Sequence, residues 1–248
     1  MEVHKHPHHL THKKKWSEYL LEFVMLFLAV FLGFTAENLR EHKVERHREK
    51  DYVSSMISDL KTDTLHISEN IRVRVQKRQM IDSLLEYLKA PDPNAYGTFI
   101  YFFGRRLTRA TRFQSNDRTI QQLKSSGSMR LIKSQKASDA IMAYTLGVER
   151  IYYGQEREDQ ELYQVSSLLK KLLDGNVLET MIKGRDIILP EGNPPLRTTN
   201  RDIILDLTYD IHQMKTSLIL NILRMREMLQ IASNTLEMLQ KEYHLENE

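Results

Sequence analysis

Apolar residues recur at intervals of three or four along three long stretches of the chain, a spacing that is typical of amphipathic helices. In the first stretch they are Val53, Ile57, Leu60, Ile67, Ile71, Ile81, Leu85 and Leu88. In the second they are Ile141, Tyr144, Val148, Ile151, Leu162, Val165, Leu169 and Leu172. In the third they are Ile204, Leu207, Ile211, Met214, Leu218, Met225, Met228 and Leu239. No proline interrupts these stretches, so the pattern predicts long helices up to Lys89 and over about 134–174 and 200–243.

Shorter elements are predicted between the long helices. Two short helices are expected over about 98–112 and 116–126, with Ser115 as the N-cap of the second and Gly127 at its end. Another is expected over about 177–182, and no segment alternates for long enough to predict a sheet. Because amphipathic helices cannot bury their apolar stripes alone, we predict an all-α fold, an elongated bundle of three long and two or three short helices.

The first long helix is preceded by a strongly apolar segment, residues 23–34, which contains no polar side chain. A helix of that length rises only about 18 Å, against about 30 Å of hydrocarbon in a bilayer. The segment 16–36 rises about 31 Å, provided that Glu18 and Glu22 lie among the lipid headgroups. We therefore predict a transmembrane helix over 16–38. Its expected anchoring residues are Trp16, Tyr19, Phe23, Leu28 and Phe34.

A cleaved signal peptide and a buried or interfacial helix are the alternatives to this anchor. Cleavage requires small residues at positions −3 and −1, and a cut after Ala36 would place Phe34 at −3. The sequence therefore favours an uncleaved span, which divides the chain into a basic His-rich tail (1–15), the transmembrane helix (16–38) and a helical domain (39–248).

The numbers of basic residues on the two sides of the span are nearly equal, four lysines before it and five Lys or Arg over 40–50, so the predicted orientation depends on how those charges are arranged. Lys13, Lys14 and Lys15 abut the span without an acidic neighbour, whereas the basic residues of 40–50 alternate with glutamates. Because positive charge is retained in the cytoplasm, we predict a bacterial inner-membrane protein with its N-terminus in the cytoplasm and the bulk of the chain in the periplasm.

The composition excludes several classes of function. The 248 residues carry 36 basic and 33 acidic side chains, a net charge of +3, and the tail 1–15 accounts for all of that excess. The remainder is neutral, which argues against a nucleic-acid partner. The chain contains no cysteine, which excludes disulfides, thiolate metal ligands and thiol catalysis.

Two groups of side chains outside the long stripes are candidates for binding. The tail carries His4, His6, His8, His9 and His12. These imidazoles suit a divalent metal, but a tail without a following scaffold offers no fixed geometry, so we predict no resident metal or cofactor. Arg105, Arg109 and Arg112 fall on one face of the helix predicted over 98–112, where they would contact phosphate, lipid headgroups or an acidic partner. The alternative, which the neutral total charge favours, is that they pair with acidic faces of the long helices.

Polar residues also interrupt the apolar stripes. Arg74 and Arg78 lie in the first stripe, Gln155 and Glu158 in the second, and Asn221 in the third. If the last two long helices form an antiparallel hairpin, Gln155, Glu158 and Asn221 lie at a similar height. They would then form a polar layer with Arg74 or Arg78 that fixes the register of the helices. The alternative is that the helices diverge there and the side chains are solvated.

Three segments resemble a known family. They are 33–40 (GFTAENLR), 58–63 (SDLKTD) and 119–127 (TIQQLKSSG), the last followed by Arg130-Leu-Ile. They are similar to an uncharacterised single-pass membrane family that is common in Bacteroidota. The resemblance implies a membrane-anchored helical protein and no catalytic residue. The sequence departs from that family in its His-rich tail.

The function predicted from the sequence is non-enzymatic. The chain lacks HExxH, GxGxxG, GxxxxGK[ST] and GxSxG. We expect a membrane-anchored structural or protein-interaction module, such as an accessory subunit of a bacterial envelope complex, whose partners are the lipid bilayer and either an unidentified protein or a second copy. A sensor input domain that acts through a membrane partner is the main alternative, and a helical hydrolase with scattered ligands is a third.

Overall fold

The computed structural model describes residues 15–245 and contains six α-helices. These are α1 (Trp16–Lys89), α2 (Gly97–Leu107), α3 (Arg118–Ser125), α4 (Gln135–Leu172), α5 (Gly175–Thr180) and α6 (Arg201–Tyr243). A small antiparallel hairpin joins β1 (Ile182–Lys183) to β2 (Asp186–Ile187). Helices make up 81% of the structure. The predicted all-α class is therefore confirmed.

The two later long helices begin where the sequence places them. The side chain of Ser134 accepts a hydrogen bond from the backbone N–H of Ala137 (3.4 Å), and that of Asn200 accepts one from the N–H of Asp202 (2.8 Å). Each side chain satisfies a donor that the first helical turn leaves unpaired.

The short elements differ from their predictions. Helix α2 ends at Leu107 rather than near Arg112, and α3 begins at Arg118 with Asp117, not Ser115, in the N-cap position. Between them, residues 108–117 form a connection that is not helical. The predicted helix 177–182 lies two residues earlier, as α5, and residue 182 belongs to β1, because Gly184, with a positive φ of 61°, turns the chain back into β2.

Residue contacts divide the chain into two units, Met1–Lys50 and Asp51–Glu248. The described part of the first unit is the N-terminal portion of α1. Three of its phenylalanine rings stack along one face, with centroids 6.4 Å apart for Phe23 and Phe27 and 6.1 Å apart for Phe27 and Phe31.

In the second unit, residues 51–89 of α1 run parallel to α4, and α6 runs antiparallel to both. The parallel direction follows because Asp63 meets Tyr144 and Arg74 meets Glu158. The antiparallel direction follows because Glu158 meets Asn221 and Glu161 meets Ser217. The buried apolar side chains form two clusters along these helices. One is centred on Leu60, Ile151 and Met225, and the other on Leu84, Leu169 and Leu207.

Two glycines of α4 allow it to approach α6 closely. A Cβ atom at Gly154 would overlap the Oδ1 atom of Asn221, and one at Gly147 would overlap the sulfur of Met228. Glycine weakens a helix by about 1 kcal/mol relative to alanine. Here that cost is offset by the contact that α4 makes with α6.

Candidate functional site

The N-terminal part of α1 has the properties of a membrane span by length and composition. The helix contains an apolar window long enough to cross a bilayer, and none of that window is buried. The predicted anchoring residues Trp16, Tyr19, Phe23, Leu28 and Phe34 are all exposed, Trp16 to 81%. A core helix of a soluble protein would bury such a window, and this one does not.

Four of the five predicted seam residues meet between the two apolar clusters, and we call them the polar layer: Arg74, Gln155, Glu158 and Asn221. Arg74 is 1% exposed, and its Nη1 donates to both carboxylate oxygens of Glu158, at 2.6 Å to Oε1. The amide of Asn221 donates to the same Oε1 at 2.7 Å. The fifth residue, Arg78, is exposed and takes no part in these hydrogen bonds. The polar layer was predicted to contain Arg74 or Arg78. In the structure it contains Arg74, which points into the bundle.

The polar layer also holds the connection 108–117, which the sequence analysis missed. Arg74 Nη2 donates to the carbonyl of Thr111 at 2.7 Å. The amide of Gln155 donates to the carbonyl of Phe113 (3.1 Å) and accepts from its N–H (2.6 Å). These buried backbone groups would otherwise be unpaired, at a cost of about 1–3 kcal/mol each. Side chains distant in sequence therefore stabilise the non-helical backbone here.

Two buried carboxylates of α1, Asp59 and Asp63, hold the end of the same connection. Asp63 accepts from the N–H of Asn116 (2.8 Å) and from the hydroxyl of Tyr144, and Asp59 accepts from the N–H of Thr119 (3.2 Å). They supply acceptors at the start of α3, whose own N-cap side chain makes no capping bond. Burial raises the pKa of Asp63 and, together with the adjacent carboxylate, that of Tyr144. Both aspartates lie in the segment 58–63. They are four residues apart, a spacing that places two side chains on one face of a helix, and this spacing was the available signal in the sequence.

A cavity of about 20 Å³ lies beside the polar layer, between Lys77, Thr111 and Glu158. That volume holds about one water molecule. Lys77 borders it, and its Nζ donates to the carbonyl of Arg109 at 2.9 Å. Burial lowers the pKa of Lys77 to about 8, although the carboxylate of Glu158 opposes that effect.

The predicted arginine face does not form, because α2 ends before two of its three members. Arg105 is half-buried on α2, whereas Arg109 and Arg112 lie in the connection. Arg112 pairs with Asp159 of α4, as expected if these arginines pair with acidic faces of the long helices. Arg109 turns to a different surface.

That surface is a groove of about 770 Å³ between α1, the end of α2 and the β1–β2 hairpin, and we call it the basic groove. Its charged lining residues are Lys77, Arg106, Arg109, Arg185 and Asp186. The guanidinium carbon of Arg106 lies 5.2 Å from the centroid of the Phe102 ring, a cation–π contact that orients it.

The predicted histidine cluster, His4, His6, His8, His9 and His12, lies outside the described residues. Within residues 15–245, no group of three or more His, Asp or Glu side chains is arranged to hold a metal ion.

Comparison with known proteins gives no relative. No protein-family model, curated protein or solved structure matches the chain. The resemblance to the Bacteroidota family therefore stays a prediction.

Proposed function

We propose that the chain is a non-enzymatic, single-pass membrane protein whose helical domain is a structural or protein-interaction module. The observation that carries the proposal is the exposed apolar window at the start of α1, whose burial in lipid would remove it from water. We further propose the inner membrane as its location, with the N-terminus in the cytoplasm and the helical domain in the periplasm.

The arrangement of the polar layer supports a structural rather than a catalytic role for the bundle interior. Arg74, Gln155 and Asn221 each donate a hydrogen bond to another protein group. The adjoining cavity of about 20 Å³ is too small for a substrate. These side chains therefore stabilise the fold and its register, as buried polar groups do in other helical assemblies.

Exposed apolar side chains on α4 and α6 support an interaction role. Leu146 and Tyr153 of α4, and Leu220 and Leu223 of α6, are all about half exposed or more. Leu146 and Tyr153 lie beside two arginines in one shallow depression. Exposed apolar groups bordered by charge are typical of protein contact surfaces. A second copy or an envelope-complex subunit fits this surface.

Membrane anchoring is tested by replacing a residue within the apolar window. Leu28→Arg should shift the chain from the carbonate-resistant membrane fraction to the soluble fraction, because arginine costs about 2.5–3.5 kcal/mol in a membrane-inserted helix. Leu65→Arg is the matched control, since Leu65 lies on the same helix, 72% exposed, outside the window. Recovery of the unaltered chain in the soluble fraction would refute the anchor, and a cytoplasmic signal from a reporter after Glu248 would reverse the orientation.

The interaction role is tested by purification in mild detergent. A stoichiometric partner or a stable dimer that is lost in a Tyr153→Glu, Leu223→Glu variant supports it. A sensor role is the second candidate, and the basic groove favours it, because a groove of about 770 Å³ has the volume of a small-molecule site. A small molecule that copurifies in place of a protein partner would favour the sensor role.

A further inference from the structure

The basic groove concentrates positive charge in a domain that is otherwise close to neutral. Four cationic residues and one carboxylate, Asp186, line it, which gives a local charge of +3. Convergent cations repel each other unless an anion lies among them. The groove therefore has a charge that its own carboxylate does not neutralise.

Within residues 15–245, no carboxylate lies within ion-pair distance of the groove arginines Arg106, Arg109 and Arg185. This contrasts with arginines elsewhere in the domain, since Arg74 pairs with Glu158 and Arg112 pairs with Asp159. The groove arginines thus keep their donors available to a ligand.

The groove is built by elements that fix its walls. Lys77 presents its ammonium group from α1 while bonded to the carbonyl of Arg109 (2.9 Å). The two-residue turn Gly184–Arg185, closed by the pairing of Lys183 with Asp186, contributes Arg185 to the lining of the same groove. Held donors lose less conformational entropy on binding than mobile ones do.

The charge and lining of the groove define the class of ligand. A single carboxylate carries one negative charge and engages one guanidinium, whereas a phosphate monoester carries about −1.5 to −2 and offers three acceptor oxygens. Apolar side chains of the same groove, Val73, Met80, Ile182 and Ile187, offer contact to an uncharged part of the ligand. We propose that the basic groove binds the phosphate group of a phosphomonoester that also carries an apolar portion. This site lies within the helical domain and does not depend on the proposed membrane anchor.

The proposal is tested by calorimetric titration of the full chain in phosphatidylcholine nanodiscs. The probes are inorganic phosphate and dihexanoyl phosphatidic acid, with dihexanoyl phosphatidylcholine as the zwitterionic control. We expect both phosphate probes to bind, more weakly as salt is added. The double variant Arg109→Gln, Arg185→Gln should lose at least tenfold in affinity. Arg226→Gln is the matched control, because Arg226 is an exposed arginine of α6 away from the groove.

The outcomes separate the sources of the phosphate group. Tighter binding of the phosphatidic acid supports a lipid ligand, whereas equal or tighter binding of inorganic phosphate overturns the apolar portion of the proposal and assigns the groove to a small soluble phosphate compound. Failure of both phosphate probes to bind the unaltered chain overturns the proposal, as does equal affinity in the double variant. Binding of an acidic peptide in place of both probes also overturns it and assigns the groove to a protein partner. Both arginines are exposed, and a circular dichroism spectrum equal to that of the unaltered chain shows that the double variant is folded.

Discussion

Removal of the carboxylate in the polar layer is the sharpest test of how the helical domain is held together. Glu158→Ala leaves Arg74 with its charge but without its counterion, and it removes the acceptor of the Asn221 amide. Arg74 keeps its bond to the carbonyl of Thr111, at 2.7 Å. The variant therefore measures the combined effect of an unpaired guanidinium and an unpaired amide on three packed helices.

The magnitude follows from the burial of the two partners. Breaking a buried ion pair by removing one partner costs about 3–5 kcal/mol, and an amide donor left unpaired adds about 1 kcal/mol or more. The side chain of Arg74 is 1% exposed and that of Glu158 is 15% exposed. Because water can reach the position of Glu158, we expect a loss of about 3 kcal/mol, a large share of a typical domain stability of about 5–15 kcal/mol.

Urea unfolding of the full chain in mild detergent, followed by circular dichroism at 222 nm, measures this loss. Glu156→Ala is the matched control, because Glu156 is an exposed glutamate on the same helix and should change stability by less than about 0.5 kcal/mol. The double variant Arg74→Met, Glu158→Met should lose less free energy of unfolding than the sum of the losses in Arg74→Met and Glu158→Met, since it leaves no unpaired charge. If Glu158→Ala behaves like Glu156→Ala, the carboxylate is solvated and the polar layer does not fix the register.

Three further predictions concern the buried Asp63, the close contact between α4 and α6, and the helical domain without its apolar segment. Asp63→Asn should leave the protein at least as stable at neutral pH. The pKa of Asp63 is raised in the folded state, so its protonated form stabilises the fold below the unfolded pKa of about 3.9. That stabilisation is lost as pH rises through the folded pKa. A pH series of melting temperatures, flatter for Asp63→Asn, checks this, and a steeper series contradicts it. Gly154→Ala should destabilise the helical domain by more than Gly147→Ala in the same urea assay, because the short Asn221 side chain can move away from an added methyl group less easily than the flexible Met228 can. The reverse order would show that α4 and α6 are not in close contact at Gly154. A fragment that begins at Arg40 should be soluble and mainly helical by circular dichroism, and a strand-dominated spectrum would refute the fold.

The long helices were predictable because each is specified along its own length. The stripes through Leu60, Ile151 and Met225 repeat at helical spacing, and all three side chains are buried. The starts at Ser134 and Asn200 were predictable for the same reason, since an N-cap bond joins residues two or three apart. The sequence pattern thus predicts the helices whose stripes and caps depend on residues close together in the chain.

The connection 108–117 was not predictable in this way. Its sequence permits helix as far as Arg112, but Gln155 pairs with both backbone groups of Phe113 and fixes a non-helical conformation. That partner lies on another helix, so tertiary contacts override local propensity. The basic groove was missed for a related reason, because it joins Lys77 to Arg185 across the fold. One local signal was overlooked, the glycine of the two-residue turn at Gly184.

The polar layer and the basic groove are connected through this non-helical segment. The carbonyl of Thr111 is held by Arg74, the carbonyl of Arg109 is held by Lys77, and both Arg109 and Thr111 line the groove. An apolar seam would supply no donors to these carbonyls, and the segment would then lose the bonds that set its path. Arg74, one of the two polar interruptions of the first stripe, thus has two roles. It keeps the helices in register, and together with Lys77 it holds in place one wall of the surface to which we assign phosphate binding.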